Sequence, residues 1–258
     1  MNKPVAIIGI GEMGGVFARG FLKSGHPVYP VNRDMDYEQA VKEIPEPALV
    51  LISAAEKDLQ EVLRKLPDAW KEKTGLLQNE LLPYVWEIEN IINPTVMTVW
   101  FEKKRGMDVK EILPTTVYGP NAEIIKTALD TLDISCTVIN DEKRMLFELV
   151  KKNVYVFTIN VAGLEVNGTV GELWGNHQEL AKQVAGEIMD IQEKLTNWKL
   201  PREELLEEVI QAFHKEPDHK CRGRAAPDRL DRALRHAEMY GVAAQVLKRI
   251  KSKLEDYI

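Results

Sequence analysis

Apolar and polar positions divide the chain into two textures that meet near Asn140-Asp141. In the first, short apolar runs alternate with helical patterns. Val5 to Ile10 is a β-branched run ending in glycine and predicts a buried parallel strand. Val16, Phe17, Phe21 and Leu22 then fall at roughly helical spacing, which predicts a helix over Gly14–Lys23 stopped by Ser24-Gly25. Further strands are predicted at Val28–Val31, Pro47–Ile52, Thr74–Leu77, Val96–Phe101 and Pro114–Tyr118, with a helix across Leu59–Leu66. Pro30 is awkward inside the second strand because it cannot donate to a ladder. Strands alternating with helices imply a parallel sheet covered on both faces. From Glu142 onward the strand signal fades. Amphipathic helices are predicted over Met145–Ala162, His177–Leu195, Glu203–His214 and Arg229–Glu255, with a charged, disordered-looking loop at Lys215–Pro227.

Composition narrows the class. The 258 residues are enough for two ordinary domains, and 45% hydrophobic with 29% charged residues is ordinary for a globular protein. A net charge of −6 argues against a general nucleic-acid binder, although local cations could still hold an anionic ligand. Cys136 and Cys221 are too few and too far apart for a disulfide framework and suit a reducing compartment. No apolar signal segment precedes the first strand, and no run approaches the roughly 20 apolar residues of a membrane span. The expectation is a cytoplasmic protein with no membrane partner.

Ala6 to Val16 reads AIIGIGEMGGV, a G-x-G-x-x-G turn between a predicted strand and a predicted helix. In that context Gly9 permits the tight turn, Gly11 lets backbone approach a pyrophosphate, and Gly14 allows close helix packing. Glu12 and Met13 lie between them, where the pyrophosphate would meet the free N–H groups of the helix start. The second strand ends Val31-Asn32-Arg33-Asp34. Arg33 can pair with a 2′-phosphate and stack on adenine, which points to NADP(H), while Asp34 would suit NAD or a helix cap. The fold class expected is therefore α/β: a Rossmann-type NADP-binding domain over residues 1–141, then an all-helical domain over 142–258 for substrate binding and dimerisation.

A nicotinamide reaction needs a group that supplies a proton to the developing alkoxide. Lys151 and Lys152 open the largely apolar stretch Val154–Ala162, and Lys152, Val156 and Asn160 are spaced four apart along one helical face. A buried asparagine such as Asn160 must find a hydrogen-bond partner. With these residues, the chain resembles the ketopantoate reductase (2-dehydropantoate 2-reductase) family of NADPH enzymes. Gly171-Glu172-Leu173, Gln78-Asn79, Tyr118-Gly119-Pro120 and Ala233–Glu238 follow the family's motifs in order, and the resemblance spans nearly the whole chain. It implies Lys152 as general acid and Asn79 as the asparagine beside the nicotinamide. Asn160 and Glu238 would bind or orient a small 2-oxo acid or ketone, and the enzyme would be a homodimer.

The chain departs from the family at several positions. Val156 stands where the family has an asparagine, and Arg224-Ala225-Ala226-Pro227 lacks its serine. Ser53-Ala54 replaces a lysine near the cofactor, and Glu80 replaces the glycine after Asn79. Losing hydroxyl-binding partners should change what binds. Two other classes are compatible with the glycine turn. One is the 3-hydroxyisobutyrate and 6-phosphogluconate dehydrogenases, whose glycine-rich motif before the lysine is missing here. The other is a dinucleotide-binding protein without catalysis. His214, His219 and Cys221 fit no zinc spacing, and Arg222 and Arg224 read as solvated.

Overall fold

The computed structural model describes residues 2–255 and divides into two compact units, Met1–Leu149 and Val150–Ile258. In unit 1 the strands are β1 (Val5–Ile8), β2 (Val28–Val31), β3 (Leu49–Ile52), β4 (Thr74–Leu76), β5 (Thr95–Thr98), β6 (Phe101–Glu102), β7 (Lys110–Glu111), β8 (Thr115–Tyr118) and β9 (Cys136–Val138). The helices are α1 (Glu12–Lys23), α2 (Tyr37–Glu43), α3 (Leu59–Arg64), α4 (Asp68–Lys71), α5 (Tyr84–Glu87) and α6 (Ala122–Asp130). Seven strands form one sheet in the order β2-β1-β3-β4-β5-β8-β9, and β6 with β7 makes a separate hairpin. β1 and β3 are buried along their whole length, as expected for strands covered on both faces. Each fully buried Ile or Leu among them contributes about 1.5–3 kcal/mol.

The order places a topological switch between β1 and β3. The chain leaves β1 toward β2 on one side and resumes at β3 on the other, which opens a crevice at the carboxyl ends of the strands. Pro30 is accommodated because β2 is an edge strand, where a missing donor leaves no gap in the ladder.

The expectation of a parallel sheet needs one correction, because β8 pairs antiparallel with β5. The residues between them form the β6–β7 hairpin instead of a crossover helix, and without a crossover the returning strand runs backwards. The sequence pattern also missed α6 and the edge strand β9, whose three residues are too short to register.

Unit 2 holds the rest of α7 (Glu142–Val166), then α8 (Val170–Asn176), α9 (Gln178–Thr196), α10 (Arg202–Lys215), α11 (Ala226–Met239) and α12 (Gln245–Glu255). From Val150 to Leu164 almost every α7 residue is buried, so it is the central element of this unit. The single helix expected over Arg229–Glu255 is two. Gly241 takes φ +68°, and Val242 N–H donates to Ala237 O at 2.8 Å, a left-handed stop that ends α11. The loop Lys215–Pro227 is also better tied down than its charge suggests. Cys221 and Glu216 are buried, Cys221 N–H donates to Gly168 O, and Lys220 bridges to Thr169. Among the described residues no helix is long and apolar enough to cross a membrane.

Candidate active site

The glycine turn lies at the switch point. Gly9 has φ +93°, and a Cβ there would come within 3.2 Å of the Ser53 backbone, so turn and strand packing both demand glycine. A Cβ on Gly14 would lie 2.2 Å from Gly9 O, which fixes how closely α1 approaches the turn. Gly11 faces open space and caps α1 without any side-chain hydrogen bond, leaving the N–H groups of the first turn free for a ligand. Glu12 and Met13 form that first turn. Glu12 is exposed, and Lys103 from the β6–β7 connection brings its ammonium to 3.8 Å from the Glu12 carboxylate. Lys103 is a cation near the cradle that the sequence reading did not single out.

Beside the turn lies a cleft of about 690 Å³, running from Gly9 past Ser53 and Ala54 to Arg33 and Tyr37. Ser53 Oγ on its wall is buried without a hydrogen-bond partner. A buried hydroxyl in a polar cleft is a ready donor for a ligand oxygen. Asn32 lies exposed in the turn that follows β2, its carbonyl accepting from Met35 N–H at 3.1 Å. Arg33 is also exposed, and its Nη2 is 3.2 Å from Asp58 Oδ2. The carboxylate that caps α2 is Asp36, accepting from Glu38 N–H at 2.9 Å, while Asp34 is exposed. Burial pushes the Tyr37 hydroxyl pKa up, so the phenol stays neutral. The cleft size, the glycine cradle and the unsatisfied Ser53 hydroxyl fit a dinucleotide.

At the end of β4, Gln78 is buried and staples neighbouring strand ends, donating from Nε2 to Ile52 O at 2.8 Å and Ala54 O at 3.1 Å. Asn79 is half-buried and donates from Nδ2 to Glu56 Oε1 at 2.8 Å. Glu80 takes φ +66°, a left-handed conformation that favours glycine. Gly119 plays the same part after β8, where φ is +114° and a Cβ would lie 2.6 Å from Pro94 O.

In unit 2 the two lysines separate cleanly. Lys151 is 7% exposed and pairs with Glu208 of α10 at 2.7 Å. Lys152 is only partly buried, with its ammonium 5.6 Å from the Tyr155 ring centroid, at cation–π distance. Tyr155 OH donates in turn to buried Glu216 at 3.1 Å, and Glu216 lies 3.6 Å from His219. Tyr155 and Glu216 are neighbours that the sequence reading missed, although Tyr155 stands three residues from Lys152 on the same helix.

Val156 and Asn160 follow Lys152 up α7, each 6% exposed. The partner of Asn160 is Arg229, whose Nη1 donates to Asn160 Oδ1 at 2.9 Å. Arg229 lies in the first turn of α11, while Glu238 is exposed in its last turn. The two stand nine positions apart, roughly 13 Å along the helix, and the α11 side chain seen on Asn160 is Arg229.

The remaining features are structural. Glu172 closes a capping box with Thr169, accepting from Thr169 N–H at 2.8 Å. Trp174 packs 5.7 Å from the Phe213 ring. Arg222 and Arg224 are exposed. Burial pushes the thiols of Cys136 and Cys221 up to about 12 and about 11, which removes them as thiolate nucleophiles.

No protein-family model and no curated protein matches the sequence. Solved structures do match it over nearly its full length. A 2-dehydropantoate 2-reductase from Methylococcus capsulatus is 15% identical with a TM-score of 0.71, covering 98% of this chain and 96% of its own. D-mandelate dehydrogenase in complex with NADH is 15% identical with a TM-score of 0.69, covering 96% of both chains. The dimeric ketopantoate reductase of Staphylococcus aureus is 15% identical with a TM-score of 0.66, covering 98% of both chains. The chain thus has the fold of the 2-dehydropantoate 2-reductases, a Rossmann-type domain followed by helices.

Proposed function

We propose that this protein is an NADPH-dependent reductase of a small 2-oxo acid or ketone, a divergent member of the ketopantoate reductase family with an altered substrate pocket. The observation that carries the reading is the Lys152-Val156-Asn160 face of α7, in a chain that also bears a glycine cradle fitted to a dinucleotide. Bound NADPH would supply a hydride. Gly9, Gly11 and Gly14, with Glu12 and Met13 opening α1, would hold its pyrophosphate, and Asn32 and Arg33 its adenosine end. Asn79 would serve the nicotinamide end. Lys152 would donate a proton to the ketone oxygen as negative charge develops there, a role worth about 10²–10⁴ in rate. Lys152 is more exposed than the buried Lys151, which supports this choice between adjacent lysines.

Asn160 would orient the substrate, with Arg229 fixing the direction of its amide, and Val156 would present an apolar surface between the two polar groups. Glu238, exposed at the far end of α11, is less suited to the orienting role the resemblance implies for it. The domain roles, a cofactor domain through residue 141 and a substrate and dimerisation domain from 142, belong to the same proposal, as do a homodimer and a cytoplasmic location.

Lys152→Ala tests the assignment: turnover should collapse while NADPH binding persists, and undiminished turnover would remove Lys152 from the mechanism. A second reading is a dinucleotide-binding protein without catalysis. It is favoured by Val156 and by the absence of the family's serine at Ala225-Ala226, and tight NADPH binding without oxidation by any 2-oxo acid would establish it.

A further inference from the structure

We infer that Asp58 sets cofactor selectivity by competing with the adenosine 2′-phosphate for Arg33. The inference rests on the dinucleotide reading and adds to it a residue outside the glycine and arginine motif. The cleft beside Gly9 is lined by two cations, Arg33 and Lys65, and by four carboxylates, Asp36, Glu38, Asp58 and Glu61. That balance is unfavourable for a dianionic phosphate, although Arg33 alone argues for one.

Two of the four carboxylates have other work. Asp36 caps α2, and Glu61 takes the Lys65 ammonium at 2.5 Å one helical turn away. Asp58 is the carboxylate placed on Arg33, at 3.2 Å. The Arg33 side chain is 86% exposed and that of Asp58 33%, so the pair lies in solvent and contributes little to folding. It is correspondingly easy to break. To grip a 2′-phosphate, the guanidinium must release Asp58, which then faces the phosphate as a like charge. With a 2′-hydroxyl the pair stays intact, and the hydroxyl can donate to the carboxylate. Asp58 therefore pulls the ratio toward NAD(H), and Arg33 pulls it toward NADP(H).

Two small probes isolate the difference, adenosine 2′,5′-bisphosphate and adenosine 5′-monophosphate, titrated calorimetrically against the full chain. Asp58→Asn keeps the shape and removes the charge. It should widen the bisphosphate preference about fivefold, because Arg33 no longer gives up an exposed ion pair in order to grip the phosphate. The monophosphate affinity should stay within about twofold. In an Arg33→Met background the same substitution should change the ratio much less. A preference unchanged or narrowed by Asp58→Asn in the wild-type background overturns the role of Asp58 and leaves the nucleotide reading standing. An equal widening with and without Arg33 means simple repulsion and overturns the competition. Binding of neither probe by the wild type removes the dinucleotide reading, and the inference with it.

Discussion

At the end of β1 the groups that would recognise a ligand belong to the backbone, whereas along α7 they belong to side chains. The glycine turn offers free N–H groups at the start of α1, and its shape is enforced by contacts such as Gly14 against Gly9 O. The α7 face offers Lys152, Val156 and Asn160, with Lys152 beside the Tyr155 ring and Asn160 held by Arg229 of another helix. A backbone site is written in consecutive residues and tolerates few replacements. A side-chain site is assembled from distant positions, as Asn160 and Arg229 illustrate. On the proposed reading, the cofactor would be held mainly by backbone and the substrate mainly by side chains.

The largest expected effect concerns the two lysines. Lys152→Ala should lower turnover by about 10²–10⁴ with thermal stability preserved. Lys151→Ala should do the reverse, costing up to about 3 kcal/mol by removing a largely buried ammonium and its ion pair with Glu208, while the folded fraction still turns over. Melting curves beside steady-state rates separate the two, and exchanged phenotypes would break the assignment.

Two glycines test the backbone half. Gly14→Val forces atoms into Gly9 O and should cost about 3 kcal/mol or more, with loss of nucleotide binding. Gly15→Ala meets nothing within 4 Å and should hold or raise stability by up to about 1 kcal/mol. Equal penalties in denaturant titrations would mean that close packing does not shape the cradle.

A smaller change is expected at Asn160. Asn160→Ala removes one acceptor from the buried Arg229 guanidinium and should cost about 1.5–3 kcal/mol. It should also raise the substrate KM while leaving NADPH affinity alone. A changed NADPH affinity with an unchanged KM would place Asn160 in the wrong half.

The smallest effect is an acid limb in unit 2. Arg202, joined by Leu200 N–H and Lys199, holds the Glu193 carboxyl at about 2, below its usual 4.5. A depressed folded-state pKa means that the unfolded chain takes up the proton first. The contribution is therefore complete above about pH 4.5 and fades as pH falls toward 2. Arg202→Met should flatten that limb in acid melting curves, and an unaltered limb would assign the acid sensitivity elsewhere.

The sequence carried the α/β order, the glycine turn and the α7 line because each rests on local spacing. Pro30 even signalled its edge position. What it did not carry depends on encounters between distant residues. Nothing local in Asn160 announces Arg229 sixty-nine positions later, nor in Arg33 the Asp58 that meets it. The break between α11 and α12 was encoded in Tyr240-Gly241, but the amphipathic period continues on both sides and hid it. The loop around Cys221 looked mobile because its charges are visible in the sequence and its packing is not. The antiparallel β8 followed from a hairpin of two-residue strands, below the length at which alternation can be recognised.

The most direct measurement mixes purified protein and NADPH with a panel of 2-oxo acids and follows nicotinamide absorbance in the wild type and in Lys152→Ala. The account predicts substrate-dependent oxidation by the wild type, and none by a variant that still binds NADPH. Wild-type protein that binds NADPH tightly and oxidises it with no member of the panel would contradict it.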